Sequence, residues 1–178
     1  MHRGFTMNNQ GFVYDYKSAK LGDCMLFRRK IITTDGKQKY HSAIIPKLSE
    51  SQVIDLCKLL QPKDIQFHKS CLAFSEFWAK FDNSILLNDI ESHFPNIGHG
   101  FGTDLLCDIA MAASETKSLK ILANVVNSFE FYEKHGFQEL NHPNANMFIE
   151  IKNSKFTDFS KFKLNSKLSD ITTEILNQ

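Results

Sequence analysis

Three glycines stand within five residues near the middle of the chain, at Gly98, Gly100 and Gly102, and an apolar stretch with helical spacing follows at once. Glycine has no Cβ, so the backbone N–H groups of such a segment can approach a ligand closely. A helix that begins directly after it adds its own unpaired amides and the positive end of its dipole. The sequence therefore predicts a loop that binds pyrophosphate with little side-chain charge.

Other phosphate-binding motifs fit this segment less well. The dinucleotide fingerprint Gly-x-Gly-x-x-Gly would need a third glycine where the chain has Thr103. A P-loop needs Gly-Lys-Ser or Gly-Lys-Thr, and neither occurs in the sequence. A flexible loop without a ligand is the remaining alternative, but it would not account for the sequence that follows the helix.

A second motif follows that helix and a buried strand: the chain reads Phe-Tyr-Glu-Lys-His-Gly-Phe from Phe131 to Phe137. Ahead of the glycines it reads Leu-Asn-Asp-Ile-Glu from Leu87 to Glu91. Over about residues 85–151 the chain thus resembles the acyl-CoA-dependent GNAT N-acetyltransferases, whose motif reads Arg/Gln-x-x-Gly-x-Gly/Ala, a helix, a strand and a Phe-Tyr-Glu-Lys-x-Gly-Phe close. The resemblance implies an α/β fold, a GNAT-like mixed sheet flanked by helices, with acetyl-CoA as the acyl donor and no metal.

The resemblance also implies roles for single residues. Tyr132 matches the general acid, since a phenol with a pKa of about 10 stays protonated at neutral pH; its alternative is a core aromatic. Glu91 would act as the base unless it is an outward-facing strand residue, and His93 is a second candidate. The third alternative is that no residue acts as a base, since many relatives have none and take an amine that is already neutral. Asn127 is a helix cap or a cofactor contact. The residues implied in cofactor binding are Ser92, His93, Gly98, His99, Gly100, Phe101, Gly102, Thr103, Asn127 and Phe131.

One position departs from the family motif. Where relatives have Arg or Gln the chain has Ile97, whose side chain cannot hydrogen-bond phosphate.

The leading hypothesis is an N-acetyltransferase that transfers the acetyl group to a primary amine by direct attack. A protein amine, an aminoacyl-tRNA and a small amine such as a polyamine or metabolite all remain open as acceptors. The alternative is a catalytically idle GNAT-like module that binds CoA weakly or acts through protein contacts.

Composition limits the remaining classes. The chain has 178 residues, which suits one domain with a sizeable core, and a net charge of +1, which gives no general reason to bind nucleic acid. The four cysteines are scattered, and Cys57 and Cys107 are expected to be reduced core residues. No metal-binding spacing, apolar signal segment or membrane-length run occurs, so we expect a cytoplasmic protein. A homodimer stays open.

Apolar periodicity predicts an order of elements. The N-terminal half reads as a hairpin followed by a helix pair, an order that is atypical for GNAT folds. The domain is expected to span 1–153, with a C-terminal extension over 154–178 that becomes helical near Ser169 and packs on its own domain or contacts a partner. The first predicted elements are a hairpin over 25–45 around Asp35-Gly36 and a helix that follows a capping box at 49–52 and continues until Pro62. A second helix is predicted from about Ser70, with the stripe Phe74, Phe77, Trp78 and Phe81 as core or as one wall of an acceptor groove. The later elements are a strand over 85–91, a helix over 103–116, a strand over 120–126, a short helix capped by Asn127 and ended by Gly136, and a strand over 147–151.

Overall fold

The computed structural model describes residues 8–60, 71–80, 82–92 and 98–178. These residues form a sheet of nine strands together with four helices. The elements in chain order are β1 (Asn8–Ser18), β2 (Gly22–Ile32), β3 (Gln38–Pro46), α1 (Glu50–Leu60), β4 (Ala73–Ala79), β5 (Ser84–Ser92), α2 (Phe101–Glu115), β6 (Lys120–Ala123), α3 (Phe129–Lys134), β7 (Gln138–His142), β8 (Ala145–Glu150), a 3-10 turn (Ile151–Asn153), β9 (Lys163–Leu164) and α4 (Ser166–Leu176).

The sheet is mixed, as the sequence predicted. Its strand order is β7-β8-β6-β5-β4-β3-β2-β1-β9, and β5 and β6 are its parallel pair, whereas the other neighbours run antiparallel. A parallel pair needs a crossover connection, and α2 supplies it between β5 and β6. The predicted fold class, an α/β fold with a mixed sheet flanked by helices, is confirmed.

Helices cover both faces of this sheet. On one face α2 buries Leu105, Leu106 and Ile109 against the largest apolar cluster. On the other face α1 and α4 pack over the first strands, with Val53 and Leu168 among the side chains of a second cluster. The helix that follows the glycines is therefore packed on the centre of the sheet, and this packing fixes where its N-terminus lies.

Several local predictions are confirmed. The hairpin over 25–45 is formed by β2 and β3, which pair antiparallel around the Asp35-Gly36 turn. The capping box exists: Ser49 Oγ accepts from the Gln52 N–H at 3.3 Å, and Gln52 Oε1 accepts from the Ser49 N–H at 2.9 Å. All four cysteines are free and buried. These features rest on residues close together in sequence, so the sequence signal was sufficient.

The helix predicted from Ser70 is wrong, because its aromatic stripe belongs to β4. Phe74 belongs to the cluster under α1 and α4, whereas Phe77 lies on the opposite face and stacks on Tyr40 with ring centroids 4.8 Å apart. Residues three apart share a helix face but lie on opposite faces of a strand. Here both faces are buried, so aromatic residues on both imitate helical spacing. Ser70 and Phe81 lie outside the described residues.

The predicted end of β6 and the cap of the next helix are also wrong. The strand ends at Ala123 instead of Val126, and Val126 is 84% exposed. The N-terminal cap of α3 is Ser128, in a left-handed conformation with φ of 63°, and no side chain caps the helix. Asn127 instead accepts a hydrogen bond from Ser128 Oγ at 3.4 Å. Strands β1 and β7 were not predicted at all.

The C-terminal segment packs on the same fold. Phe156 and Phe162 belong to the cluster under α2, and α4 lies against β1 and α1. A Cβ at Gly11 of β1 would overlap the Thr172 side chain, which shows how closely α4 approaches that strand. Of the two readings of the extension, packing on its own domain is confirmed; the boundary at residue 153 stays a prediction.

Candidate active site

Strands β5 and β6 stop pairing part of the way along β5, and the gap beyond this point is called the cleft. The two strands pair only from Ser84 with Lys120 to Leu87 with Ala123. Beyond this point β5 continues to pair with β4, whereas the chain after β6 is bound by the Asn146 side chain. Asn146 Oδ1 accepts from the Val125 N–H at 2.7 Å and its Nδ2 donates to the Val125 carbonyl at 2.6 Å. The amide side chain of Asn146 in β8 thus takes the place of a backbone partner for Val125.

A β-bulge lies on the β5 side of this cleft. Glu76 of β4 pairs with Asp89 and Phe77 pairs with Leu87, so Asn88 has no partner opposite it. The extra residue changes the alternation of side chains along β5. Leu87 and Ile90 consequently both contact the cluster under α2. Asp89 and Glu91, which alternate with Ile90, project from the opposite face of the sheet.

The glycine loop (98–102) leads into α2. Gly98 and Gly100 have φ values of 86° and 82°, in the left-handed region, and a Cβ at either would meet no atom of the described residues within 4 Å apart from the adjoining residues of the chain. The open side of both glycines therefore has room for a ligand. Helix α2 begins at Phe101, and the first N–H groups of a helix have no intrahelical acceptor. Left-handed glycines and a helix start are features that a phosphate-binding loop requires, and the binding itself stays a prediction.

Gly102 has a different role from the other two glycines. A Cβ on Gly102 would lie 2.9 Å from Cε2 of Phe131, which is too close for van der Waals contact. The bare glycine allows the Phe131 ring of α3 to lie directly on the first turn of α2. The two motifs identified in the sequence therefore meet in space at this contact.

His135 makes a second connection between these helices. Its Nδ1 is 2.7 Å from the Phe131 carbonyl oxygen and its Nε2 is 2.9 Å from Thr103 Oγ1. A carbonyl can only accept, so Nδ1 carries the proton, and in the neutral ring Nε2 accepts from the Thr103 hydroxyl. The Thr103 side chain is thus turned towards α3. Sequence reasoning did not assign His135 a role, although it lies inside the Phe-Tyr-Glu-Lys-x-Gly-Phe motif.

Tyr132 of α3 is buried in the cluster under α2. It is 7% exposed, and its ring packs edge-to-face against Phe131 and Phe137 with centroids 5.2 Å away in both cases. Burial, with a further contribution from the charge of Asp89, raises the pKa of Tyr132 to about 12. The phenol is therefore fully protonated at neutral pH and can donate a proton or a hydrogen bond.

The two acidic residues on β5 differ in the group on which their charge acts. Asp89 is the carboxylate whose charge acts on Tyr132. Glu91 is exposed, pairs in register with Phe74, and acts instead on Cys71, where burial and then the Glu91 charge raise the pKa of the thiol to about 12. The base predicted from the sequence, Glu91, stays a prediction, and Asp89 lies in the same strand motif and on the same face of β5.

The other predicted site residues are placed as follows. Ser92 is half-buried and pairs with Ala73 at the end of β5, and Asn127 is exposed just before α3. His99 packs edge-on against Phe101, and its Nδ1 is buried with no hydrogen-bond partner among the described residues. His93 lies outside the described residues, as does Ile97. The structure thus brings together the glycine loop, Thr103, Phe131 and Tyr132, with Glu91 on the far face of β5.

Two absences apply to the described ranges. No group of three or more His, Cys, Asp or Glu side chains there is arranged to hold a metal ion. None of the helices in this part of the chain combines the length and apolar character that crossing a bilayer requires.

Known proteins are similar to this chain in structure. No family model and no curated protein matches the sequence. The chain is similar to solved structures of acetyltransferases. An acetyltransferase of the GNAT family from Staphylococcus aureus Mu50 matches at 13% identity and a TM-score of 0.46, over 64% of this chain and 68% of that one. Nourseothricin acetyltransferase matches at 13% identity and a TM-score of 0.46, over 84% of this chain and 89% of that one. At such identities the likeness concerns the fold and leaves the substrate open.

Proposed function

We propose that this protein is an acyl-CoA-dependent N-acetyltransferase that transfers the acetyl group of acetyl-CoA to a primary amine. The observation that carries the proposal is the convergence of three features at one cleft. Strands β5 and β6 stop pairing after Leu87 and Ala123, the glycine loop contacts α3 where Gly102 meets Phe131, and the protonated Tyr132 is the next residue of α3. The loop and the first turn of α2 would hold the pyrophosphate of CoA.

The chemistry follows from these groups. The amine nitrogen attacks the thioester carbonyl carbon, and the carbonyl oxygen becomes an oxyanion that backbone N–H groups on the open edge of β5 can stabilise. The C–S bond then breaks, and the sulfur leaves with the bonding electrons. The Tyr132 hydroxyl donates its proton to this thiolate and regains one from solvent. The products are an N-acetyl amine and free CoA, with no acyl-enzyme.

For the proton lost by the amine, we propose Asp89 as the accepting carboxylate. Its charge acts on Tyr132, whereas the charge of Glu91 acts on Cys71, although both carboxylates project from the face of β5 opposite to Ile90. Glu91 stays the base predicted from the sequence. A pair of variants distinguishes between the two carboxylates as the base. Asp89→Asn should lower kcat by roughly 100-fold, as the loss of a general base does, and Glu91→Gln should change it by less than about threefold. A larger loss of kcat in Glu91→Gln than in Asp89→Asn would assign the role of base to Glu91.

The test of the proposed function measures CoA release and acetylated product from acetyl-CoA with a panel of primary amines. Gly100→Glu would place a bulky anionic side chain in the space proposed for pyrophosphate. Gly36→Glu is a matched control, since Gly36 also has a left-handed φ, of 84°, and open space around it, in the turn between β2 and β3. We expect Gly100→Glu to abolish thermal stabilisation by CoA and Gly36→Glu to retain it.

The alternative of a catalytically idle module rests on Ile97, which replaces the hydrogen-bonding residue of the family motif. The same assays separate the two functions. An idle module would be stabilised by CoA through the glycine loop and would still release no CoA from acetyl-CoA with any amine. Stabilisation by CoA together with acetylated product would exclude it.

A further inference from the structure

A lysine from the far end of the sheet lies against the glycine loop. Lys20 is in the turn between β1 and β2, and its Nζ donates to the carbonyl oxygen of Gly98 at 2.8 Å across 78 positions of sequence. The turn is ordered by Ser18, whose Oγ accepts from the Leu21 N–H at 2.9 Å, and by Gly22 with φ of 74°.

The register of the sheet explains why this turn reaches the loop. Moving from strand to strand, Cys24 pairs with Pro46, Ile44 pairs with Ala73, and Ala73 pairs with Ser92. These pairings place the turn between β1 and β2 at the same end of the sheet as the end of β5. Tyr16 of β1 also contacts the first turn of α2, through a hydrogen bond of its hydroxyl to Asp104 at 3.4 Å.

Lys20 is exposed to solvent and differs from two other lysines near this end of the sheet, whose charges are paired with carboxylates. Lys47 pairs with Asp15 at 2.7 Å and Lys161 pairs with Asp104 at 2.6 Å. Among the described residues Lys20 forms no ion pair, and its bond is to a neutral carbonyl. That carbonyl lies beside a helix N-terminus, which is itself electropositive. The ammonium group and the helix N-terminus are both electropositive and both attract an anion.

We infer that Lys20 is a phosphate-binding residue of the glycine loop, supplied by the turn between β1 and β2. This inference rests on the proposed function in taking the pyrophosphate of CoA as the anion. An ammonium group has three N–H donors, so the bond to Gly98 leaves two for phosphate oxygens. Lys20 thereby provides the charge that the side chain of Ile97 lacks.

The test compares Lys20→Met with Lys17→Met in the full chain, by calorimetric titration with CoA and with pantetheine, which has no phosphate. Lys17 is exposed on β1 three residues before Lys20, so its variant removes the same charge from the same hairpin. We expect Lys20→Met to weaken CoA binding roughly tenfold and to leave pantetheine binding unchanged. Lys17→Met should weaken CoA binding less than twofold, and Lys20→Arg should restore most of the affinity.

Two results would overturn the inference. Equal losses in Lys20→Met and Lys17→Met would mean a general charge effect, and an equal loss for pantetheine would mean that Lys20 only shapes the loop. Inorganic pyrophosphate separates this inference from the proposed function. If it shifts the amide resonances of residues 98–103 in the wild type and not in Lys20→Met, Lys20 binds phosphate even if no acetyl transfer occurs. No shift in the wild type would overturn the assignment.

Discussion

At the scale of single residues, two glycines of one loop carry different requirements. Gly100 adopts a left-handed φ and borders open space, whereas Gly102 has an ordinary helical position and lies against Phe131. A substitution at Gly100 is therefore resisted by the backbone, and one at Gly102 by the neighbouring ring. The sequence shows both as glycine, and only the packing of α3 on α2 separates them.

The contact at Gly102 makes a stability prediction. Gly102→Ala should lower the free energy of unfolding by roughly 1–3 kcal/mol, because the added methyl group overlaps the Phe131 ring. Denaturant titration measures the change. Phe131→Leu removes the edge of the ring. Gly102→Ala should therefore cost less stability when it is added to Phe131→Leu than when it is added to the wild type. Purely additive effects in this cycle would contradict the overlap.

Tyr132 makes a prediction about pH. Since its pKa is raised to about 12, the acid form persists as the pH rises through about 10, where an ordinary tyrosine ionises. We expect kcat not to fall across that range, and Tyr132→Phe to lower kcat by roughly 10- to 1000-fold with CoA affinity retained. Tyr40→Phe is the matched control, a buried tyrosine stacked on Phe77 away from the cleft. Unchanged turnover in Tyr132→Phe would reduce Tyr132 to a packing residue.

At the scale of elements, α4 protects a strand edge. Between Asn8 and Val13 the outer edge of β1 has no strand beside it, since β9 pairs only with Tyr14 and Asp15. One face of α4 carries polar side chains four residues apart that accept from alternate N–H groups of β1 at 2.9–3.0 Å: Ser169 from Val13, Thr173 from Gly11 and Asn177 from Asn9. The helix thus satisfies an edge that could otherwise pair with another chain.

Removing this protection should make the protein associate. The triple variant Ser169→Ala, Thr173→Ala, Asn177→Ala should lose on the order of 1 kcal/mol of stability for each hydrogen bond removed and expose the edge of β1. Light scattering after size exclusion would show the oligomers, and denaturant titration the loss. The control places alanine at the exposed positions Ser166, Asp170 and Glu174 of the same helix. A monomeric triple variant with unchanged stability would contradict the role given to α4.

At the scale of the whole molecule, a buried ion pair fixes α2 on the sheet. Arg28 of β2 is fully buried and donates to Asp108 Oδ1 through Nε at 2.8 Å and Nη2 at 2.5 Å. Its guanidinium also lies 5.4 Å from the centroid of the Tyr14 ring. The pair connects the sheet to the helix that begins at the glycine loop, so it helps to set the position of the loop.

Breaking this pair should be costly. Asp108→Ala leaves the Arg28 charge buried without its main partner and should destabilise the protein by about 3–5 kcal/mol. Glu115→Ala, which removes a 46% exposed partner 3.3 Å from Arg28, should cost less than about 1 kcal/mol. Replacing both charges, as Arg28→Met with Asp108→Leu, should recover most of the loss. Unfolding by denaturant measures all three, and equal costs for Asp108→Ala and Glu115→Ala would contradict this account.

The sequence by itself determined the features that depend on neighbours along the chain. The glycine loop, α2, the short helix with Tyr132 and its Gly136 end, and the capping box at Ser49 were predicted correctly. Each is specified within about one or two helical turns, through left-handed backbone positions, apolar spacing and local hydrogen bonds.

Only the tertiary structure decided the rest. Phe74 and Phe77 belong to a strand because both faces of the sheet are covered, and a local pattern does not report what covers a face. The charge of Asp89, and not that of Glu91, acts on Tyr132. Lys20 reaches Gly98 only because four successive strand pairings place the turn between β1 and β2 at the same end of the sheet as the end of β5. Such contacts join residues far apart in sequence, so the packing and register of the whole sheet determine them.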